Sequence, residues 1–235
     1  MLSDIDIVFL ANSSSNKSKE VLECFSSEWA FENTCVKVVT DARSGKAVSA
    51  ARDLTFPISV CDDPSEVGTT INEVTDKVSG CDYLISIGWS HRVPDEALAI
   101  PETAALNVHS SYLPRYRGLS VHRAQWANAE AEGGVTVHEM TSEFDEGDII
   151  AQQKYRIGLF ETPLDMVTTI GELAAALTRE AILLLEMGYT GEEQKGEGNY
   201  YSLLPWSTVL KYGIVNHVLR LLRTNRRVRV PSGQN

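Results

Sequence analysis

The chain has 235 residues and a mass of 25.9 kDa, which bounds it to one large domain or one domain with an appendage. Hydrophobic residues make up 43% and charged residues 23%, near globular averages, which excludes disordered, collagenous and low-complexity chains. With 32 acids against 21 Lys and Arg the net charge is −11, a sign that repels phosphate backbones and argues against nucleic acid as the main partner.

Strand-like and helix-like segments alternate from the start. Ile5–Ala11 is a short apolar run rich in β-branched residues and reads as a buried strand. A polar turn over 12–16 leads to a helix over 17–29, with Val21, Leu22 and Phe25 on one face. The pattern repeats as strand 35–39, helix 45–54, strand 57–61, helix 64–78 and strand 82–87. Such alternation predicts an α/β fold, a doubly wound, mostly parallel Rossmann-like sheet with right-handed crossovers.

After Gly88 the rhythm changes. Residues 104–113 read as a strand and 117–129 as a helix opened by Gly118-Leu119-Ser120. Strands over 135–141 and 149–157 follow, joined by the acidic loop 142–148. Thr162 and Pro163 suit the N-cap and first turn of a long helix. Its stripe of Leu164, Val167, Ile170, Leu173, Ala174, Leu177, Ala181 and Leu184 keeps helical spacing until Gly188 and Gly191 stop it.

From Pro205 onward there are six basic residues and no acid, which leaves 15 basic against 32 acidic before it, or −17. The division expected is a body over 1–195 and a short basic appendage over 196–235. Within the appendage, 208–222 carries a helical stripe of Val209, Leu210, Ile214, Val215, Val218, Leu219 and Leu222. That stripe is expected to bury against the acidic body or a second subunit, ahead of the alternative that a basic amphipathic helix lies on a membrane surface.

Several classes fall away. Uncharged apolar stretches stay under about ten residues, too short to span a membrane as a helix. Asp4 stands where a signal peptide needs positive charge, so a cytoplasmic protein is expected and a membrane partner is not. Cys24, Cys35, Cys61 and Cys81 lack metal-ligand spacing and read as buried free thiols, with no metal expected. Neither Gly-x-Gly-x-x-Gly nor Gly-x-x-x-x-Gly-Lys-Ser is present, so a dinucleotide site and a P-loop are unsupported.

Three segments carry candidate chemistry. The turn Ser14-Ser15-Asn16, between a strand and a helix start, offers backbone N–H groups and a helix dipole to an anion. Asn107 and His109 stand two apart near a strand end, so an amide and an imidazole share one face, where open α/β sheets bind ligands. The turn that follows carries Arg115, Tyr116 and Arg117, two guanidiniums and a phenol that suit a ligand. In Glu143-Phe144-Asp145-Glu146-Gly147-Asp148, Phe144 is expected to anchor the loop inward and Gly147 to permit its turn. A carboxylate from this loop turned toward His109 would favour the charged ring and fix its tautomer.

Taken together, Asn107-Val108-His109-Ser110-Ser111-Tyr112-Leu113-Pro114-Arg115-Tyr116-Arg117-Gly118, Gly134-Val135-Thr136-Val137-His138 and Phe144-Asp145-Glu146-Gly147-Asp148-Ile149-Ile150 resemble the folate-dependent formyltransferase family. That family pairs Asn-x-His-x-Ser-x-Leu-Pro with Asp-x-Gly, and the likeness runs over roughly residues 5–187, most specifically after Asp82. The resemblance implies the formyltransferase fold and a formyl donor, N10-formyltetrahydrofolate, with no metal. It implies Asn107, His109 and Asp145 as the catalytic set, with Asn107 and a protonated His109 donating to the developing oxyanion and Asp145 orienting the histidine. It places the folate at the turn Gly88–Pro94, through Trp89, His91 and Val93, and at Glu143 and Phe144.

For the acceptor amine the resemblance offers three classes. Methionyl-tRNA transferases carry a larger C-terminal barrel and rank last. Phosphoribosylglycinamide transferases share the small polar turn Ser14-Ser15-Asn16 and a segment like Val121-His122-Arg123-Ala124. The stretches Arg115-Tyr116-Arg117-Gly118, Gln125-Trp126-Ala127 and Gly198-Asn199-Tyr200-Tyr201 are more similar to members that formylate nucleotide-linked amino-deoxy sugars. A nucleotide-sugar acceptor and a homodimer are therefore expected, with phosphoribosylglycinamide as the alternative. A non-catalytic folate-binding protein is the reading from another class.

Overall fold

The computed structural model describes residues 5–27, 34–75, 80–224 and 226–232. In chain order its first half comprises β1 (Ile5–Ala11), α1 (Asn16–Ser27), β2 (Thr34–Thr40), α2 (Lys46–Asp53), β3 (Ile58–Val60), α3 (Val67–Val74), β4 (Cys81–Ile87), the single turn α4 (Asp95–Leu98) and β5 (Pro101–His109). Residues 28–29 and 76–78, the ends expected for two helices, lie outside the described residues.

The second half departs from the local pattern at two points. β5 ends at His109 rather than at 113, because the chain then turns and Ser111 Oγ donates to the Arg115 carbonyl. Residues 117–118 are not helical. They form the short strand β6 (Arg117–Gly118), and α5 (Val121–Ala127) begins after Ser120, whose φ is 47°. Strands β7 (Glu132–Glu139) and β8 (Ile149–Arg156), helix α6 (Pro163–Glu186), β9 (Tyr200–Tyr201) and α7 (Trp206–Leu221) complete the chain.

Seven strands form one sheet in the order β3-β2-β1-β4-β5-β7-β8, parallel through β5 and antiparallel from there. Period-two alternation sorts β1 between two cores. Ile5, Ile7 and Phe9 join Leu22, Ala47 and Ala174 on one side, whereas Val8 and Leu10 join Val67, Ile71 and Ala97 on the other. Helix α6 opens with a capping box in which Thr162 Oγ1 accepts from the Asp165 amide at 3.3 Å and Asp165 Oδ2 accepts from the Thr162 amide at 2.8 Å. Leu164, expected in its buried stripe, is 72% exposed. Of the four thiols, Cys61 and Cys81 are buried, Cys24 is partly buried and Cys35 is exposed, so the expectation of uniform burial fails at two.

The basic appendage is tied to the body. β9 pairs with β6 in parallel, Tyr201 stacks on Tyr116 at 5.0 Å, and Val209 and Val230 join Val121, Ala124 and Ala127 of α5 in a third core. Most of the stripe expected on α7 does not pack; of its residues Val209 alone is buried. The buried residues are Val209, Gly213 and Asn216, while Leu210, Ile214, Val215, Val218 and Leu222 are exposed. The reason is close approach: a Cβ on Gly213 would lie 1.9 Å from Trp126, so the indole on α5 occupies the space a larger residue would fill. No helix among the described residues is long and apolar enough to cross a membrane.

Candidate active site

In the parallel part of the sheet the strand order reverses between β1 and β4, and the crevice beyond their carboxyl ends is where such sheets bind ligands. A cavity of about 550 Å³ lies there. The turn after β1 (Ser14–Lys17), the turn after β4 (Trp89–Val93), the end of β5 (Asn107–Ser110) and the loop 141–145 line it.

Asp145 is the hub. Its carboxylate is 8% exposed, with Oδ1 3.1 Å from Asn107 Nδ2 and 3.2 Å from His109 Nδ1, and Oδ2 accepting from the Gly118 amide at 2.7 Å. Burial pushes its carboxyl up, but the charge and hydrogen bond of His109 outweigh that and hold it well below the usual carboxylate range. The other ring nitrogen of His109, Nε2, is 2.8 Å from the Tyr116 carbonyl, which only accepts. Two acceptors facing its two nitrogens suit a doubly protonated ring.

His138 is the residue the sequence reading left without a role. Antiparallel pairing sets it directly opposite Asn107. Its Nε2 lies 3.1 Å from Asn107 Nδ2 and 3.6 Å from Asp145 Oδ1, and its Nδ1 is 2.7 Å from the Glu139 carbonyl. With Nδ1 donating to that carbonyl, Nε2 accepts the second amide hydrogen of Asn107.

The loop that delivers Asp145 is built differently from expectation. Phe144 does not anchor it, being 46% exposed at the cavity rim. Gly147 does not adopt a left-handed turn either; Asp145 itself does, at φ 58°. Gly147 is required because a Cβ there would meet the Glu139 carbonyl at 2.1 Å. Gln194 fastens the loop by donating to the carbonyls of Asp145 and Gly147, each at 2.9 Å.

The turn after β4 brings Trp89, His91 and Val93 to the cavity wall, with Glu143 and Phe144 also lining it. Trp89 is buried, yet its indole N–H has no hydrogen-bond partner among the described residues. Ser14, Ser15 and Asn16 also face the cavity; Ser15 Oγ caps α1 by accepting from the Ser18 amide, and Asn16 Oδ1 accepts from Lys46 Nζ at 2.6 Å.

Arg115, Tyr116 and Arg117 are not brought to this cavity. Arg115 pairs with Glu130 at 3.0 Å, Tyr116 donates its hydroxyl to the same carboxylate at 2.7 Å, and Arg117 pairs with Glu146 and donates to Gln194. Arg115 and Tyr116 instead border a second cavity of about 650 Å³. Their density of charge reads as a ligand site until the fold supplies the two acids.

Set beside known proteins, residues 6–182 match the family described as formyl transferase. Over 136 residues the chain is 30% identical to a methionyl-tRNA formyltransferase of Borrelia garinii subsp. bavariensis, covering 57% of this chain and 42% of that protein. Over 124 residues it is 30% identical to a methionyl-tRNA formyltransferase of Borreliella burgdorferi, covering 52% and 40%. The chain thus spans less than half the length of these curated relatives. Among solved structures, glycinamide ribonucleotide transformylase 1 from Symbiobacterium toebii superposes with a TM-score of 0.69 at 23% identity, over 82% of this chain and 93% of that one. At that identity the likeness is one of fold.

Proposed function

This chain belongs to the formyl transferase family, and on that premise we propose that it moves a formyl group from N10-formyltetrahydrofolate to the primary amine of a nucleotide-linked amino-deoxy sugar. The observation that carries the reading is the convergence of Asn107 Nδ2 and His109 Nδ1 on one oxygen of Asp145, at 3.1 and 3.2 Å, in the lining of the cavity. The donor suits the apolar part of the lining. Val93, Leu98 and Met140 offer an apolar surface, and the unpartnered Trp89 N–H calls for an acceptor such as a folate ring carries.

The chemistry needed is displacement at a formyl carbon. The acceptor nitrogen adds, negative charge develops on the formyl oxygen, and donors aimed there lower the barrier. Asn107 reaches it by turning one amide hydrogen away from His138. Asp145 keeps His109 oriented and charged, and the pair passes the proton from the attacking to the leaving nitrogen. Ser14, Ser15, Asn16 and Lys46 at the start of α1 and α2 form the side where a phosphate of the acceptor binds. That same turn favours phosphoribosylglycinamide as the second reading.

In this proposal residues 1–195 catalyse, 196–235 serve dimerisation, and the enzyme works in the cytoplasm on a small molecule, without nucleic acid, metal or membrane. Tetrahydrofolate release followed by absorbance, against UDP-, GDP- and dTDP-linked amino sugars and phosphoribosylglycinamide, tests it. Release with a nucleotide sugar is expected. Release with phosphoribosylglycinamide alone selects the second reading, and folate binding with no release from any amine makes the chain a binding protein.

A further inference from the structure

The hydrogen bonds of the catalytic trio leave one need unmet. Both amide hydrogens of Asn107 are engaged, by Asp145 Oδ1 and by His138 Nε2, each at 3.1 Å. Both ring nitrogens of His109 are engaged as well, by Asp145 and the Tyr116 carbonyl. Neither residue can donate to a developing oxyanion without giving up a bond it already makes.

Lys17 can. As the second residue of α1 it projects to the end of β5, where Nζ donates to the Val108 carbonyl and, at 3.3 Å, to Ser110 Oγ. Those residues flank His109 on either side. An ammonium carries three donors; two are used, and Lys17 lines the same cavity as the trio. From the 141–145 loop the Asp145 charge attracts it, while His122 of α5 feels the Lys17 charge and Arg123 also lines the cavity. Lys46, His91, Arg92, His138, Glu143 and Tyr200 are the remaining titratable groups lining the cavity.

The geometry points to Lys17 as a further catalytic residue, its ammonium donating to the formyl oxygen as the amine adds. This rests on the formyl-transfer reading. In that step the lone pair of the acceptor nitrogen forms the new C–N bond and the carbonyl π pair moves onto oxygen beside Lys17. Its return breaks the bond to N10, the proton lost by the attacking nitrogen ends on N10, and nothing is oxidised or reduced. The site also supplies a titration. Burial pushes Lys17 down to about 8, against an upward pull from Asp145. His122, pushed down to about 4 by burial and then by the Arg123 and Lys17 charges, is neutral where the enzyme works and adds no competing charge. The oxyanion donor is therefore charged below about pH 8 and lost above it.

The test measures tetrahydrofolate release by the wild type, Lys17→Met and Lys17→Arg from roughly pH 6 to 9.5, with the fastest acceptor of the panel. Folding is checked by thermal midpoint. Lys17→Met is expected to lose about 10²–10³ in kcat while the donor KM moves less than about threefold. The wild-type profile should fall through about pH 8, and the arginine variant, which stays charged, should keep most of its rate and lack that fall. A methionine variant within about threefold of wild-type kcat overturns the inference. Should that variant not fold, an arginine variant that still loses its rate through about pH 8 overturns it equally. A wild type that releases nothing with any amine defeats the formyl-transfer reading itself, an outcome distinct from an active enzyme indifferent to Lys17.

Discussion

Asp145 draws on three elements at once: Asn107 and His109 from β5, His138 from β7, and the Gly118 amide from β6. Replacing the hub or its principal partner should strike turnover before binding. His109→Asn and Asp145→Asn are each expected to lower kcat by about 10² or more, with donor affinity within a few fold. Wild-type turnover in either variant would remove that residue from the mechanism. Asp145 also links stability to pH. Its carboxyl sits lower in the folded chain than in the unfolded one, so as pH falls the unfolded state takes the proton first. Its contribution is thus complete above the ordinary Asp value of about 4 and fades as pH falls through the folded value. The urea midpoint of the wild type should exceed that of Asp145→Asn at neutral pH, and the gap should close on acidification below about pH 4. A gap independent of pH would show that the carboxylate is not the stabilising species. At this scale the sequence was legible where chemistry depends on spacing along one strand. Asn107 and His109 share a face because they are two apart. His138 escaped because its role depends on which β7 residue sits across from Asn107, and register between strands is fixed by packing, not by either strand alone. Arg115 and Arg117 misled for a related reason: Glu130 and Glu146, their partners, are brought to them only by the fold.

Elements with strong local signals form as read. β1 spans Ile5–Ala11 as expected, and Thr162 caps α6 through a box that satisfies its first amides. Thr162→Ala should therefore lower stability by about 1 kcal/mol in urea unfolding, and Thr162→Ser should restore most of it. Elements whose limits are set by distant partners were not legible. The 117–118 pair gives up a helical reading because Arg117 and Leu119 amides donate to the Asn199 and Tyr201 carbonyls, 2.9 Å each, far along the chain. Helix α7 has the period its stripe implies, yet turns most of that stripe outward and buries only Val209 of it. Small and polar positions pack instead, since Gly213 admits Trp126 and Asn216 donates to the Ala127 and Val228 carbonyls at 2.8 Å. This makes Gly213 a sensitive point despite its poor helix propensity. Gly213→Ala would raise propensity by about 1 kcal/mol in an isolated helix, but overpacking against the indole should reverse the sign and destabilise by about 1–3 kcal/mol. A stabilised Gly213→Ala variant would show that α7 does not pack on α5 this closely.

Charge and apolar surface divide the whole molecule unequally. The residues before Pro205 carry 15 basic against 32 acidic, and the segment after it is wholly basic. That basic segment spends part of its charge on its own body: Arg220 donates to the Glu130 and Ile157 carbonyls, and Arg229 pairs with the Glu130 carboxylate at 2.7 Å. The side of α7 carrying Val209, Gly213 and Asn216 thus docks within the chain, and Leu210, Ile214, Val218 and Leu221 are left outside, Ile214 at 61% exposure. Exposed apolar rows of this kind mark association surfaces in soluble proteins. A second copy meets the electrostatic condition, because cations beside the row, Lys211 and Arg223, face a partner whose body is strongly acidic. The dimer expected from the proposed function should therefore form across α7. Leu210→Glu with Ile214→Glu should halve the mass seen by light scattering, and the intrachain contacts of Gly213 and Asn216 should keep the thermal midpoint of each monomer close to that of the wild type. A wild-type chain that is monomeric at every concentration, and whose affinity for anionic vesicles is abolished by the same pair of substitutions, would assign the row to a membrane surface instead.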